Sequence, residues 1–317
     1  MKNIKFKRYI SYLLSSILFS CCSTAGMESK DSYLNMSYGI DFKNKFFSKI
    51  PCSKDISDPA LKKVIMYSWS IRNKKKDMYW TEPLDYGNNG GIFAYFENGE
   101  ISKDKIVKLT NTRKNNKQEL SAIEKLLKER ESIIKAGFAD NIVNIVKYDL
   151  EPAKSKKNKN RNYDTCIYMK YIDGVTFEKF LSNLKCQKLF CPFSETLKWM
   201  LRVCETLIFL KNKEIFYFDL HTDNIMLHKN KNNEFCPILI DVGGMWTKKS
   251  LDDSNSDFNK IESSTIGDIK TILEECYENK NITEKDKITY FDIENLKNCE
   301  TFEELVESMK KLIEKCK

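Results

Sequence analysis

Phe216–Gly244 reads FYFDLHTDNIMLHKNKNNEFCPILIDVGG, and it places an Asp, an Asn and a second Asp on two short strand–loop units. Asp219 and Asn224 stand five residues apart, with the apolar Ile225, Met226 and Leu227 directly after them. Asp241 follows the apolar run Ile238-Leu239-Ile240 and precedes Val242-Gly243. A carboxylate at Asp219 can accept or orient the proton of an attacking hydroxyl. Asn224 and Asp241 offer hard oxygen donors of the kind Mg²⁺ takes while it keeps several waters. Gly243 lets the chain turn sharply behind the second Asp. Singly, D-x-x-x-x-N is ordinary Asx-turn chemistry and D-V-G a strand end. The information lies in the combination, flanked on both sides by apolar strands.

The segment resembles the catalytic loop and metal-binding segment of the protein-kinase-like superfamily. Against that family's H-R-D-L-K-P-E-N and D-F-G the chain has Tyr217, Phe218, Asp219, Leu220, His221, Thr222, Asp223 and Asn224, then Asp241, Val242 and Gly243. The resemblance implies an ATP-dependent phosphotransferase, with Asp219 as catalytic base and Asn224 and Asp241 as Mg²⁺ ligands. Three departures bear on it. Tyr217 replaces the usual His. Phe218 replaces the Arg that in many protein kinases pairs with a phosphorylated activation loop, so switching by such phosphorylation is not expected. His221 replaces Lys, a change shared with aminoglycoside- and choline-type small-molecule kinases and with haspin-like protein kinases, so the loop alone does not name the acceptor.

Upstream, Gly87, Gly90 and Gly91 precede alternating apolar residues, a pattern that predicts a hairpin with a Gly-rich turn. Backbone N–H groups there can approach phosphates closely. G-x-x-G-G matches the kinase G-x-G-x-x-G only in part. The strand Lys105-Ile106-Val107-Lys108-Leu109 follows, and Val107-Lys108 is similar to the family's V-A-I-K. That likeness makes Lys108 the residue for the nucleotide phosphates, with Lys105 as its competitor. Apolar residues at Leu120, Ile123, Leu126, Leu127, Ile133 and Ile134 predict a helix over 118–135. In the family a Glu from this helix holds the lysine. Glu119, Glu124, Glu129 and Glu131 are available, and Glu124, two turns in, is the expected partner. Ile167–Gly174 is similar to the kinase hinge, which makes Met169 the gatekeeper and gives the backbone of Lys170 and Ile172 to the adenine.

Ser194 reads as the N-cap of a long helix that ends before the catalytic loop. Asp268 opens a later helix and matches the family's Asp that bonds the catalytic-loop backbone. About 50 residues follow it, without an A-P-E segment. The expected fold is α+β: a two-lobed protein-kinase-like fold with a reduced C-terminal lobe, the first lobe over 61–172 and the second over 173–317. A protein Ser/Thr acceptor is the first expectation and a small alcohol the second. A pseudokinase that only binds a partner is the third reading, opposed by the retention of Asp219, Asn224, Asp241 and Lys108.

With 317 residues, 41% hydrophobic and 12% aromatic, the chain can bury one large core or two lobes, which excludes a disordered protein. Its charge is +8, but Lys2, Lys5, Lys7 and Arg8 stand in an acid-free opening, and the remaining +4 is too small a bias to argue for nucleic acid. Those residues precede the apolar Tyr9–Phe19, too short to span a bilayer and suited to a targeting segment over 1–25. Leu18-Phe19-Ser20-Cys21 resembles a relaxed lipobox with Cys21 lipidated; cleavage after Ala25 is the equal alternative, and a buried N-terminal element a third. A tether over 26–60 is expected to follow. Export or anchoring through this segment is the localisation it implies, and a cytoplasmic protein if the segment is instead buried. Eleven cysteines, most in apolar settings, and two histidines give no zinc-ligand spacing.

Overall fold

The computed structural model describes residues 85–87, 90–97, 100–110, 116–151, 164–230, 232–254, 257–283 and 288–316. The expected targeting segment, with Cys21 and Ala25, and the tether lie outside these residues. So does the first lobe up to residue 84.

β1 (Asp85–Gly87), β2 (Gly90–Glu97), β3 (Glu100–Thr110), β4 (Ile145–Glu151) and β5 (Asp164–Lys170) form one antiparallel sheet in the order β1-β2-β3-β5-β4. Between β3 and β4 the chain forms α1 (Asn116–Lys128) and α2 (Arg130–Lys135). Side chains alternate across a strand, and this sorts β3 into two faces. Val107 packs with Tyr95, Cys166 and Tyr168 on one, while Ile106 joins Ile167 and Met169 in the main core on the other. Lys108 shares the face of Ile106, and Lys105 falls on the opposite one. Alternation therefore decides between the two lysines.

The second lobe opens with β6 (Gly174–Thr176), α3 (Phe177–Gln187), β7 (Cys191–Pro192), α4 (Phe193–Asn212) and β8 (Ile215–Tyr217). It continues through β9 (Ile225–Lys229), β10 (Phe235–Leu239), β11 (Met245–Thr247) and α5 (Lys248–Ser254). It closes with α6 (Phe258–Glu278), β12 (Ile282–Thr283), α7 (Tyr290–Lys297) and α8 (Phe302–Cys316). Helix α4 is the lobe's axis: Leu197, Met200, Cys204 and Leu210 are fully buried at helical spacing, and α6 and α8 lie against it. Phe177, Phe180, Trp199 and Phe235 form an aromatic cluster in which the Phe180 and Trp199 rings meet edge to face at 5.3 Å. The result is the expected α+β architecture, a sheet lobe followed by a helical lobe.

Two helix starts differ from expectation. Helix α4 begins at Phe193 with Pro192 as its cap, one residue before Ser194. Proline has no N–H to leave unpaired there, and Phe193 is anchored against Tyr277 with ring centroids 5.7 Å apart. Helix α6 begins ten residues before Asp268, because Asp257 caps it through the Asn259 N–H at 3.0 Å. The lobes are joined by the turn after α2. Val143 N–H donates to Leu239 C=O and Leu239 N–H to Asn141 C=O, and Arg202 holds the Asn141 side chain at 2.9 Å.

Candidate active site

Strand β8 delivers the chain to Asp219, and β11 runs antiparallel beside it with Met245 opposite Tyr217. Phe218 N–H donates to Gly244 C=O at 3.0 Å. Asn224 Nδ2 donates to the Asp219 C=O at 2.8 Å, so its Oδ1 is left as the acceptor end. Ile240 N–H donates to Asn224 C=O at 3.1 Å, which ties the strand before Asp241 to the loop that carries Asn224. These bonds converge Asp219, Asn224 and Asp241 on one cleft. Gly244 was not singled out by sequence. A Cβ added there would lie 2.9 Å from the Asp219 Cβ, so the second glycine of the tandem pair is what lets the two segments approach.

Lys108 reaches into the same cleft from the opposite side. Its Nζ donates to Asp241 Oδ1 at 2.6 Å and stands 3.5 Å from Glu119 Oε1. Glu124, the expected partner, instead accepts from the Tyr148 hydroxyl at 2.7 Å. Helical phase explains the correction. Glu119, Ala122, Ile123 and Leu126 are the buried positions of α1 at i, i+3, i+4 and i+7, whereas Glu124 is exposed. Stepping four residues back from Ile123 would have found Glu119.

Electrostatics follow from this arrangement. Burial works against the charge on Lys108, but Glu119 and Asp241 together outweigh it and hold its pKa above the ordinary lysine value. Burial pushes Asp241 up, and Lys108, the Gly243 N–H and His221 more than reverse this, so the carboxyl lies below its usual range. Burial raises the Glu119 pKa and Lys108 only partly offsets it. At 3.5 Å the Glu119 contact is an ion pair without a hydrogen bond, and Glu119 Oε1 is left buried and unsatisfied. Tyr217 is fully buried, and burial followed by the charges of Asp241 and Asp219 keeps its hydroxyl protonated.

Met169 is buried opposite Ile106 and Ile145. Beyond it, Lys170 N–H bonds Asn144 C=O and Tyr171 N–H bonds Asp104 C=O. In β1 and β2, Gly87 pairs with Gly90 and Tyr86 with Gly91, and Ile92 stands opposite Lys108, so the glycines and the lysine share one end of the sheet. Asp268 does not bond the catalytic-loop backbone. Thr265, one turn earlier, donates to Tyr217 C=O at 2.5 Å. The Asp268 carboxyl faces Asp219 and His221; burial and then Asp219 raise its pKa, while His221 lowers it.

The protein tyrosine and serine/threonine kinase family matches residues 78–304. The chain belongs to that family. No curated protein matches it. Phosphoryl transfer from ATP with Mg²⁺ is the family's activity, and the kinase's acceptor class, a protein or a small molecule, is set at that level only. Phe218, in place of the family's Arg, meets Trp246 edge to face at 5.0 Å, so an aromatic contact stands where other kinases carry a charge.

Proposed function

We propose that this kinase transfers the terminal phosphoryl group of ATP to a protein serine or threonine hydroxyl. The observation that carries the reading is the convergence on one cleft of Lys108, held between Glu119 and Asp241, with Asn224 bonded to the backbone of Asp219. A cation flanked by two carboxylates stays charged, as a group that grips phosphates must. Asp219 is solvent-exposed at the mouth of the cleft, where an acceptor hydroxyl can reach it. Its role is to orient that hydroxyl and take its proton. The gain comes from alignment and charge neutralisation, because the transferring group is loose and largely dissociative.

The residues also suit Mg²⁺. Lys108 and the Gly243 N–H both use Asp241 Oδ1, leaving Oδ2 without a partner among the described residues, and Asn224 presents Oδ1. Among the described residues no three acidic, His or Cys side chains form a ready-made cage. Two oxygen donors suit a metal that arrives with the nucleotide and keeps phosphate and water ligands. Bound there, Mg²⁺ would neutralise phosphate charge. Ile172 N–H has no partner among the described residues, whereas the two N–H groups before it are taken, which supports its use by the adenine.

A small alcohol is the second reading. Only residues 242–257 separate Asp241 from α6, a short span in which to build a platform for a peptide; His221 favours the same reading. Radiolabel transfer from ATP by residues 26–317, offered generic protein substrates and then small alcohols, separates the two. Transfer to neither, with nucleotide binding intact, would leave a binding module. For localisation we propose membrane attachment through a lipid on Cys21. Mass spectrometry of the natural product finding Met1 retained would sink this.

A further inference from the structure

Three consecutive residues of the catalytic loop are each held by one hydrogen bond from a different direction. Asp219 C=O accepts from Asn224, Phe218 N–H donates to Gly244, and Tyr217 C=O accepts from Thr265 Oγ1 at 2.5 Å. The first two come from within the strand–loop units that carry the site. The third comes from α6, the helix beneath, and among the described residues it is the one hydrogen bond that ties the backbone of 217–219 to a helix of the second lobe; further along the loop only side chains reach a helix, Thr222 Oγ1 donating to Glu178 at 3.0 Å and Asp223 accepting from Thr176.

Thr265 is 1% exposed, and its hydroxyl also lies 2.9 Å from Ile261 C=O, the ordinary back-bond of a helical Thr four residues on. One hydroxyl carries one proton. The Ile261 carbonyl already has its place in the helix ladder, whereas Tyr217 C=O is in a loop-entering strand end where an unpaired buried carbonyl is costly. The shorter distance to Tyr217 agrees. Asp268, where the family pattern puts the anchoring carboxylate, makes no such bond and faces Asp219 and His221 instead.

We infer that Thr265 is the positioning residue that fixes the catalytic loop on the helical core, in place of Asp268. It acts through the backbone two residues before Asp219, so its loss displaces the carboxylate without touching nucleotide. The inference rests on the reading of Asp219 as the group that aligns the acceptor.

Thr265→Val keeps the shape and removes the hydroxyl, and Thr265→Ser keeps the hydroxyl and removes a methyl. Because small misplacements of a reacting group are expensive, kcat of Thr265→Val should fall about 10- to 100-fold with KM for ATP unchanged within about twofold. Thr265→Ser should recover most of the loss. Amide hydrogen exchange over 217–220 should quicken in the Val variant and not in the Ser variant. Wild-type turnover in Thr265→Val overturns the inference, as does a larger kcat loss in Asp268→Asn. If Thr265→Val does not fold, the Ser variant decides, since a folded Thr265→Ser with kcat as low as about a tenth of wild type shows that packing, not the hydroxyl, matters. Exchange also separates this idea from its premise. A wild type that transfers no phosphoryl group defeats the functional reading, whereas unchanged exchange over 217–220 in Thr265→Val defeats the anchor itself.

Discussion

In the lower half of the site the hydrogen bonds that fix Asp219 and Asn224 link residues at most 48 positions apart, whereas in the upper half Lys108 reaches across 133 positions to Asp241. The lower half is local chain geometry. Once β8 and β11 pair and α6 packs beneath them, Tyr217, Phe218 and Asp219 have little freedom left. The upper half is assembled by docking two lobes, and its Glu119 contact is a 3.5 Å ion pair with an unsatisfied oxygen. Rigidity below and adjustability above suit the proposed function, in which the nucleotide would enter between the lobes and compete for Lys108.

The largest effects should come from the carboxylates, and they should differ in kind. Asp219→Asn is expected to lower phosphotransfer about 10²- to 10⁴-fold, the range for a lost general base, with nucleotide affinity retained. Asp241→Asn should cost at least as much turnover and also weaken Mg²⁺-dependent nucleotide binding, because it removes an oxygen donor and one partner of Lys108. Calorimetric titration with nucleotide and Mg²⁺ makes the check. Equal loss of affinity in both variants would break the division between the halves.

Next in size is the upper-half pair. Lys108→Met and Glu119→Gln should each reduce kcat/KM, and the double variant should be little worse than Lys108→Met alone, since residues acting as a unit are non-additive. Glu124→Gln should stay close to wild type. An additive cycle with Glu119, or a strong effect of Glu124, would return the ion pair to the residue that its place two turns into the helix suggests.

The same contrast governs what the sequence discloses. Asp219, Asn224 and Asp241 lie within 23 residues, each set off by an apolar strand, so their chemistry and spacing can be read together. Lys108 needs one further step, the two-residue alternation that separates it from Lys105. Glu119 needs the phase of a helix, and reading depth along the axis in place of phase points to Glu124. Gly244 has a faint signal in the tandem glycine. Thr265 has none, because its role depends on where α6 lies under the loop and on a start ten residues earlier than Asp268 suggests. The Arg202–Asn141 clasp between the lobes is equally silent, since nothing local distinguishes it from any surface pair.

Gly244→Ala probes the lower half without removing a functional group. The new Cβ would stand 2.9 Å from the Asp219 Cβ and 3.5 Å from the Tyr217 ring, and both neighbours are tied to backbone that is already bonded. Overpacking of this kind costs about 1–3 kcal/mol. A lower melting temperature with a kcat loss and unchanged KM for ATP is the expected pattern. A variant as stable and active as wild type would mean that the loop gives way easily, contrary to the rigidity argued for it.

The smallest effect concerns pH and tests the upper half as an electrostatic unit. Asp241 has a folded pKa below its ordinary value, so its share of stability is present above the normal carboxylate range and is lost as pH falls through that depressed pKa. Lys108 has a raised folded pKa, so its share persists from acid through neutral pH and is lost only when pH rises through that value, above 10.5. Glu119 has the opposite sign to Asp241: its raised pKa means that ionisation removes stability as pH climbs through it, and Lys108 reduces that loss. In Lys108→Met both carboxylates lose their counter-charge, so both terms penalise the variant only where the carboxylates are ionised. The melting temperatures of wild type and Lys108→Met should therefore differ most near neutral pH, on the order of 2–4 °C for each kcal/mol. The gap should narrow as pH falls through the raised Glu119 pKa and close only once pH has also fallen through the depressed pKa of Asp241, where the buried lysine keeps its desolvation cost and both its partners are neutral. A gap that stays constant while pH falls from 7 through both of those pKa values would show that Lys108 contributes through packing of its stem, and the upper half would then be held by the same kind of force as the lower.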